Sequence, residues 1–139
     1  MSRPAVRLRI DFGQTAAVGP GKIALLEHIA ASGSLAQAAR ELGMSYRRAW
    51  QLLGSLNGSF RQPLVDSARG GRGGGGARLT ERGRQLIRAY RGLEAEMQVR
   101  AARHFRALAG CARAVAGGPR PRPALLPRRQ GAKSRAAAR

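Results

Sequence analysis

Residues 34–56, SLAQAARELGMSYRRAWQLLGSL, constrain this chain more than any other segment. They read as two short helices joined by a tight turn. Ala39 follows Leu35 by one helical turn, Gly43 follows by another, and Ala49 and Leu52 come next on the apolar side. A small residue at Ala39 lets two helices cross closely, and Gly43 can take the left-handed backbone that a sharp turn demands. Ala49 and Leu52 then fall on the buried side of the second helix, opposite Tyr46, Arg47 and Gln51. A basic, polar face at the start of that helix suits entry into the major groove of DNA. The segment predicts a helix-turn-helix, with double-stranded DNA as the expected partner.

The charge balance points the same way. The chain carries 26 Lys+Arg against 7 Asp+Glu, a formal net charge of +19 over 139 residues. Charge of that size speaks to partners rather than to fold, and its natural partner is a polyanion. Apart from Lys22 and Lys133 the basic residues are all arginines, which suit bidentate contact to phosphate or guanine. A general codon bias is the competing account of that excess. It accounts less well for the arginines at the start of the second helix.

Around this segment the pattern fills in. Val6, Leu8, Ile10 and Phe12 alternate with Arg7, Arg9 and Asp11, the period of a strand with one buried face. Residues 13–21 read as a turn punctuated by Gly19-Pro20-Gly21. Ile23, Leu26, Ile29 and Ala30 recur at helical spacing over residues 22–32, and Gly33 stops that helix. Ser34 and Ser45 are placed to cap the helices of the pair. Ala49, Leu52, Leu53 and Leu56 carry the second of them to about Phe60. After Pro63, residues 64–65 and 77–79 predict the strands of a hairpin around the glycine-rich residues 70–76. Thr80 and Glu81 then start a last helix, predicted to run to about Leu108. The expected fold is mainly α with a small β-hairpin: a winged helix-turn-helix over residues 1–108 with a long C-terminal helix. The hairpin is the wing.

The last helix carries a second pattern. Leu86, Tyr90, Leu93, Met97, Ala101, His104 and Leu108 recur at intervals of three and four, along one seam. The first half is expected to pack on its own domain. The second half extends further, which predicts a homodimer through residues 80–108, with Leu86, Tyr90, Leu93, Met97 and Ala101 as dimerisation residues. Residues 109–139 hold Gly117-Gly118, Pro119, Pro121, Pro123, Pro127 and basic residues without an acid. That composition predicts a disordered tail, either passive or adding salt-sensitive, non-specific DNA affinity.

Other chemistries have little support. The glycine run from Gly70 to Gly76 suggests a phosphate loop, but the Lys-Ser/Thr pair of a Walker loop is missing. A wing carrying Arg69, Arg72 and Arg78 toward the phosphate backbone or minor groove fits better. The acids Asp11, Glu27, Glu41, Asp66, Glu81, Glu94 and Glu96 are scattered singly, and no nucleophile–base arrangement stands out, so no enzyme is expected. Cys111, with His28 and His104, offers neither an intramolecular disulfide nor a zinc site; no metal or cofactor is expected. Trp50 either packs on the wing or touches DNA, with packing favoured. No run nears the roughly 20 apolar residues that span a bilayer, and the N-terminus lacks a signal-peptide core. A cytoplasmic location without membrane contact is expected.

Several segments together carry a resemblance. They are GPGKIALLEHIAASGSLAQAARELGMSYRRAWQLLGSLN, then PLV, GGRGGGGARLTERGRQLI and YRGLE. Over roughly residues 7–97 the chain resembles the DNA-binding domain of ModE-type molybdate-responsive transcriptional regulators. The resemblance includes residues 44–50, MSYRRAW, and the glycine-rich wing. It implies a winged-helix dimer on operators of molybdate-transport or molybdoenzyme genes. Members of that family carry a C-terminal molybdate-binding region of small β-barrels, each of roughly 65 residues. Here an Arg/Pro/Ala tail without strand pattern stands in that place, and no oxyanion-binding residue carries over, so molybdate sensing is not expected. The DNA-binding set is Ser34, Ser45, Tyr46, Arg47, Arg48 and Gln51, with Arg69, Arg72 and Arg78 on the wing. The alternatives are a sequence-tolerant, nucleoid-type binder driven by charge, and a small oxyanion-binding protein using the glycine loop.

Overall fold

The computed structural model describes residues 3–68 and 76–112. The first elements are a small antiparallel hairpin, β1 (Ile10–Phe12) and β2 (Ala16–Val18), in which Ile10 faces Val18 and Phe12 faces Ala16. Residues 13–21 were expected to be turn throughout. The turn is confined to residues 13–15, with Gly13 at φ 68°, and burial of Ala16 and Val18 makes the second strand. Leu8 and Ile10 lie against the core while Arg7, Arg9 and Asp11 face out, but the strand expected from Val6 is confined to Ile10–Phe12, and Phe12, expected on the buried face, is exposed beside the Phe60 ring.

Helix α1 (Pro20–Ser32) is the centre of the packing: Ile23, Leu25, Leu26 and Ile29 are all fully buried. Pro20 occupies the first turn, where its missing N–H costs nothing. Gly33, at φ 67°, closes the helix by donating its N–H to the Ile29 carbonyl at 2.8 Å. Ala30, expected on the apolar stripe, is exposed, and Leu25 is buried instead. The reason is tertiary. Two further helices, a wing strand and the C-terminal helix all pack on α1, so its buried face is wider than one stripe.

Helices α2 (Leu35–Glu41) and α3 (Tyr46–Ser59) follow, with Gly43 at φ 66° in the turn between them. Ala38, Ala39 and Ala49 are buried at the crossing, where small side chains permit close approach. Strands β3 (Val65–Ala68) and β4 (Gly76–Leu79) pair antiparallel, Val65 opposite Leu79 and Asp66 opposite Arg78. Val65, Ala77 and Leu79 face the core; Asp66 and Arg78 are exposed. The architecture is a winged helix-turn-helix.

Helix α4 (Glu81–His104) starts on its Thr80 cap, where Thr80 Oγ1 accepts from the Gly83 N–H at 3.1 Å. A side chain on Gly83 would collide with the Leu64 carbonyl oxygen, so glycine lets α4 seat against the residue before β3. The helix was expected to continue to Leu108. It breaks at Phe105 (φ −101°, ψ 13°), and a short α5 (Arg106–Ala109) follows. Phe105 is half exposed and lies outside the core cluster. Tyr90, expected on a dimer seam, is 3 % exposed and donates its hydroxyl to the Leu8 carbonyl at 2.8 Å. Its ring therefore belongs to its own core, where burial pushes the phenol pKa up. Leu86 also packs against that core. Two acids expected to stand singly converge: Arg91 of α4 bonds Glu27 of α1 and Glu94, and both carboxylates hold its guanidinium firmly protonated.

Candidate nucleic-acid interface

The start of α3 is fixed by short-range bonds. Ser45 Oγ accepts from the Arg48 N–H at 3.1 Å, and Met44 donates its N–H to the Ala39 carbonyl at 3.0 Å. Such a cap contributes about 1 kcal/mol and sets the direction in which the first helical turn presents its side chains. Ser34 caps α2 in the same way, accepting from the Gln37 N–H at 3.2 Å. Both hydroxyls expected among the DNA-facing residues thus already serve a helix end.

The inner side of α3 is settled by burial of Ala49 and Leu56, with Leu52 and Leu53 half buried. The opposite side carries Tyr46, Arg47, Arg48, Trp50 and Gln51, all exposed. Among the described residues, the side chains of Arg47, Arg48 and Gln51 make no hydrogen bond or ion pair. A guanidinium offers five N–H donors in a planar fork, so this face is rich in donors free to meet an anion. Trp50 was expected to pack. It is 61 % exposed, and Tyr46, one turn earlier, is 57 % exposed. The helical spacing puts the two rings side by side but does not reveal where the core's cover stops.

Asn57 joins this helix to the wing. Its Nδ2 donates to the Val65 carbonyl at 3.1 Å, while its Oδ1 accepts from the Leu64 N–H at 2.9 Å and the Val65 N–H at 3.3 Å. The wing is tied down again where the Ala77 N–H donates to the Gly33 carbonyl at 2.9 Å. Sequence reasoning missed Asn57; its one clue is a polar amide amid the apolar positions Leu53, Leu56 and Phe60. Arg78 stands on the outer face of β4, opposite Asp66. Arg69, Arg72 and the glycine run of residues 70–75 lie outside the described residues, as do the tail residues 113–139.

Charged groups elsewhere act as ties. Lys22 donates to the Ala17 carbonyl at 2.7 Å and to Ser55 Oγ at 3.2 Å, linking the first hairpin to α3. Burial, then the nearby Arg9, lowers the pKa of its ammonium. His28 Nδ1 and Glu41 Oε2 are 2.6 Å apart, joining α1 to α2. Hydrogen bonds from Gln37 and then His28 hold the Glu41 carboxyl below the usual carboxylate range. Among the described residues, no group of three or more His, Cys, Asp or Glu side chains is placed to hold a metal ion. No helix among them is long and apolar enough to cross a membrane.

Residues 21–84 match the lysR family of bacterial regulatory helix-turn-helix proteins. The chain is 54 % identical over 77 residues to the molybdenum-pterin-binding protein MopA of Rhodobacter capsulatus, covering 55 % of this chain and 29 % of that one. It is 42 % identical over 85 residues to the DNA-binding transcriptional dual regulator ModE of Escherichia coli, covering 61 % and 32 %. With the molybdenum transport protein ModE of Azotobacter vinelandii the identity is 38 % over 97 residues, covering 70 % and 36 %. The chain thus spans about a third of the length of these curated relatives. Residues 21–84 thus match a helix-turn-helix of the bacterial lysR type and lie within a region similar to the ModE and Mop proteins.

Proposed function

We propose that this chain is a sequence-specific, DNA-binding transcriptional regulator of molybdate-transport or molybdoenzyme genes, acting as a cytoplasmic homodimer and not as an enzyme. One observation carries the reading: a capped helix, held by its buried side, presents Tyr46, Arg47, Arg48 and Gln51 outward together at its first turns. That is the part of a recognition helix that meets base edges in the major groove. Arg78 on the wing is suited to the phosphate backbone, a contact that fixes register without reading sequence. The relatives supply the link to molybdenum, since one is named a transcriptional regulator and another a molybdenum transport protein. The exposed Leu93 and the half-buried Met97 and Ala101 lie beyond the Tyr90 anchor and suit contact with a second copy.

A second reading rests on the net charge of +19, which favours sequence-tolerant binding. Recovery of genomic fragments of the source organism on the purified chain separates the two. Enrichment of a few palindromic sites beside molybdate-transport or molybdoenzyme genes is the expected result. Recovery without preference transfers the case to the charge-driven reading, and enrichment beside unrelated genes removes the molybdenum assignment.

A further inference from the structure

The geometry points to Trp50 as a specificity residue: we propose that its indole meets a thymine methyl group in the major groove, on the wing side of α3. The proposal rests on the DNA-binding reading and goes beyond the arginine-centred contacts of that reading.

Three observations place the ring. Trp50 is 61 % exposed, as is Tyr46 at 57 %, on a helix whose leucines are buried wholly or in part. It lies next to Gln51 and one helical turn past Arg47 and Tyr46, on the donor-rich face rather than at a remote patch. Two turns further along the same stripe is Asn57, whose amide grips Leu64 and Val65 of the wing. The indole therefore lies along the side of α3 that turns toward the wing. DNA lying across α3 and the wing would cover it.

Chemistry selects the target. Thymine is the base that presents a methyl group in the major groove, and apolar side chains read it by contact. Arg47, Arg48 and Gln51 supply hydrogen-bond donors; Trp50 is the larger of the two exposed aromatic surfaces beside them. Removing that surface from water on binding rewards a methyl and gains nothing from a bare ring hydrogen. A face that combines guanidinium forks with one indole can distinguish guanine and thymine within neighbouring base pairs.

The test uses the full chain and a duplex that it selects from a random-sequence library. Each thymine of that duplex is replaced in turn by uracil, which deletes one methyl and leaves the pairing intact. One or two replacements are expected to weaken the wild-type chain about fourfold, as for one methyl-sized group. Trp50→Ala should bind the unmodified duplex about tenfold more weakly and be indifferent to those same replacements. Trp50→Phe should keep part of the uracil sensitivity. Trp50 is the chain's one tryptophan, so its emission reports on the ring directly. It should be that of a hydrated indole in the free chain and shift to the blue on the duplex. Equal response to thymine and uracil overturns the proposal, and so does a shielded indole in the free chain, which would restore packing on the wing. If the library yields a preferred duplex that Arg47→Ala weakens while uracil is silent, this inference alone fails. If no preferred duplex emerges, the sequence-specific reading fails and takes the inference with it.

Discussion

The outward face of α3 and the far half of α4 are both open helix surfaces, yet their chemistry differs. On α3 the open residues include Arg47, Arg48 and Gln51 beside two aromatic rings. Along the far half of α4, the Phe105 break and α5, the open apolar side chains Leu93, Val99, Phe105 and Leu108 stand among the exposed Arg100, Arg103 and Arg106. A polyanion rewards the first surface, and an apolar partner the apolar stripe of the second. The near half of α4 sharpens the contrast, because there the same helix buries Tyr90 and seats Gly83 on Leu64. One helix therefore serves first as part of the core and then, apart from the bonds of Gln98 to the Val6 N–H and the Pro4 carbonyl, as an open surface. The proposed division of labour is DNA on α3 and a second copy on α4.

The largest effect should come from removing the joint that supports both surfaces. Gly83→Ala forces a methyl group into the Leu64 carbonyl and should cost about 3 kcal/mol in urea denaturation. An unchanged midpoint would mean that α4 is not seated as described. Glutamates at both Leu93 and Met97 should next separate the two roles. Light scattering should show half the wild-type mass, and loss of the second half-site should weaken DNA binding about a hundredfold, with the fold intact. A wild-type chain that is already monomeric would break the comparison outright.

Arg47→Ala should leave mass and stability alone while costing about 1–3 kcal/mol on a preferred duplex and relaxing choice at one base pair. A loss shared equally by all sequences would make Arg47 a phosphate contact. Arg78→Ala should instead weaken all sequences alike and reduce the salt slope by about 1.

Much of this frame was legible in the sequence because its signals are local. Ser34, Ser45 and Thr80 each cap the helix they precede, and Gly33 and Gly43 adopt the positive φ that their positions require. What escaped depends on distant partners. Strand β2 is three residues long and exists through pairing with β1, so its glycine-flanked sequence looked like a turn. Leu25 is buried because α1 is covered on several sides, which no single stripe reveals. Asn57 is decisive through backbone groups of Leu64 and Val65, and Arg91 through a carboxylate on α1. The exposure of Trp50 depends on where the core's edge falls. Periodicity gives a direction around a helix, not the reach of its neighbours.

Two smaller effects test the supports of the recognition face. Asn57→Ala should cost about 1–2 kcal/mol, because it leaves wing backbone groups without their partner. It should lower affinity for all DNA sequences together. Glu41→Gln should act through pH. In the folded chain the Glu41 carboxyl titrates below its usual value because Gln37 and His28 bond its charged form. Its contribution to stability is therefore complete above the unfolded carboxyl pKa of about 4.3 and is lost as pH falls through the lower folded value. The variant should lose that acid limb in a pH series of denaturation curves. The effect will be small, since the pair is exposed.

The most direct test of the account is a salt series comparing the wild-type chain on a duplex it prefers with a shuffled duplex of the same composition. Charge alone makes both affinities fall along parallel lines as salt rises, whereas base-edge contacts add a gap that salt does not close. The account predicts a gap of about a hundredfold or more that persists at moderate salt and shrinks in Arg47→Ala. Coincident lines for the two duplexes, collapsing together, would contradict it.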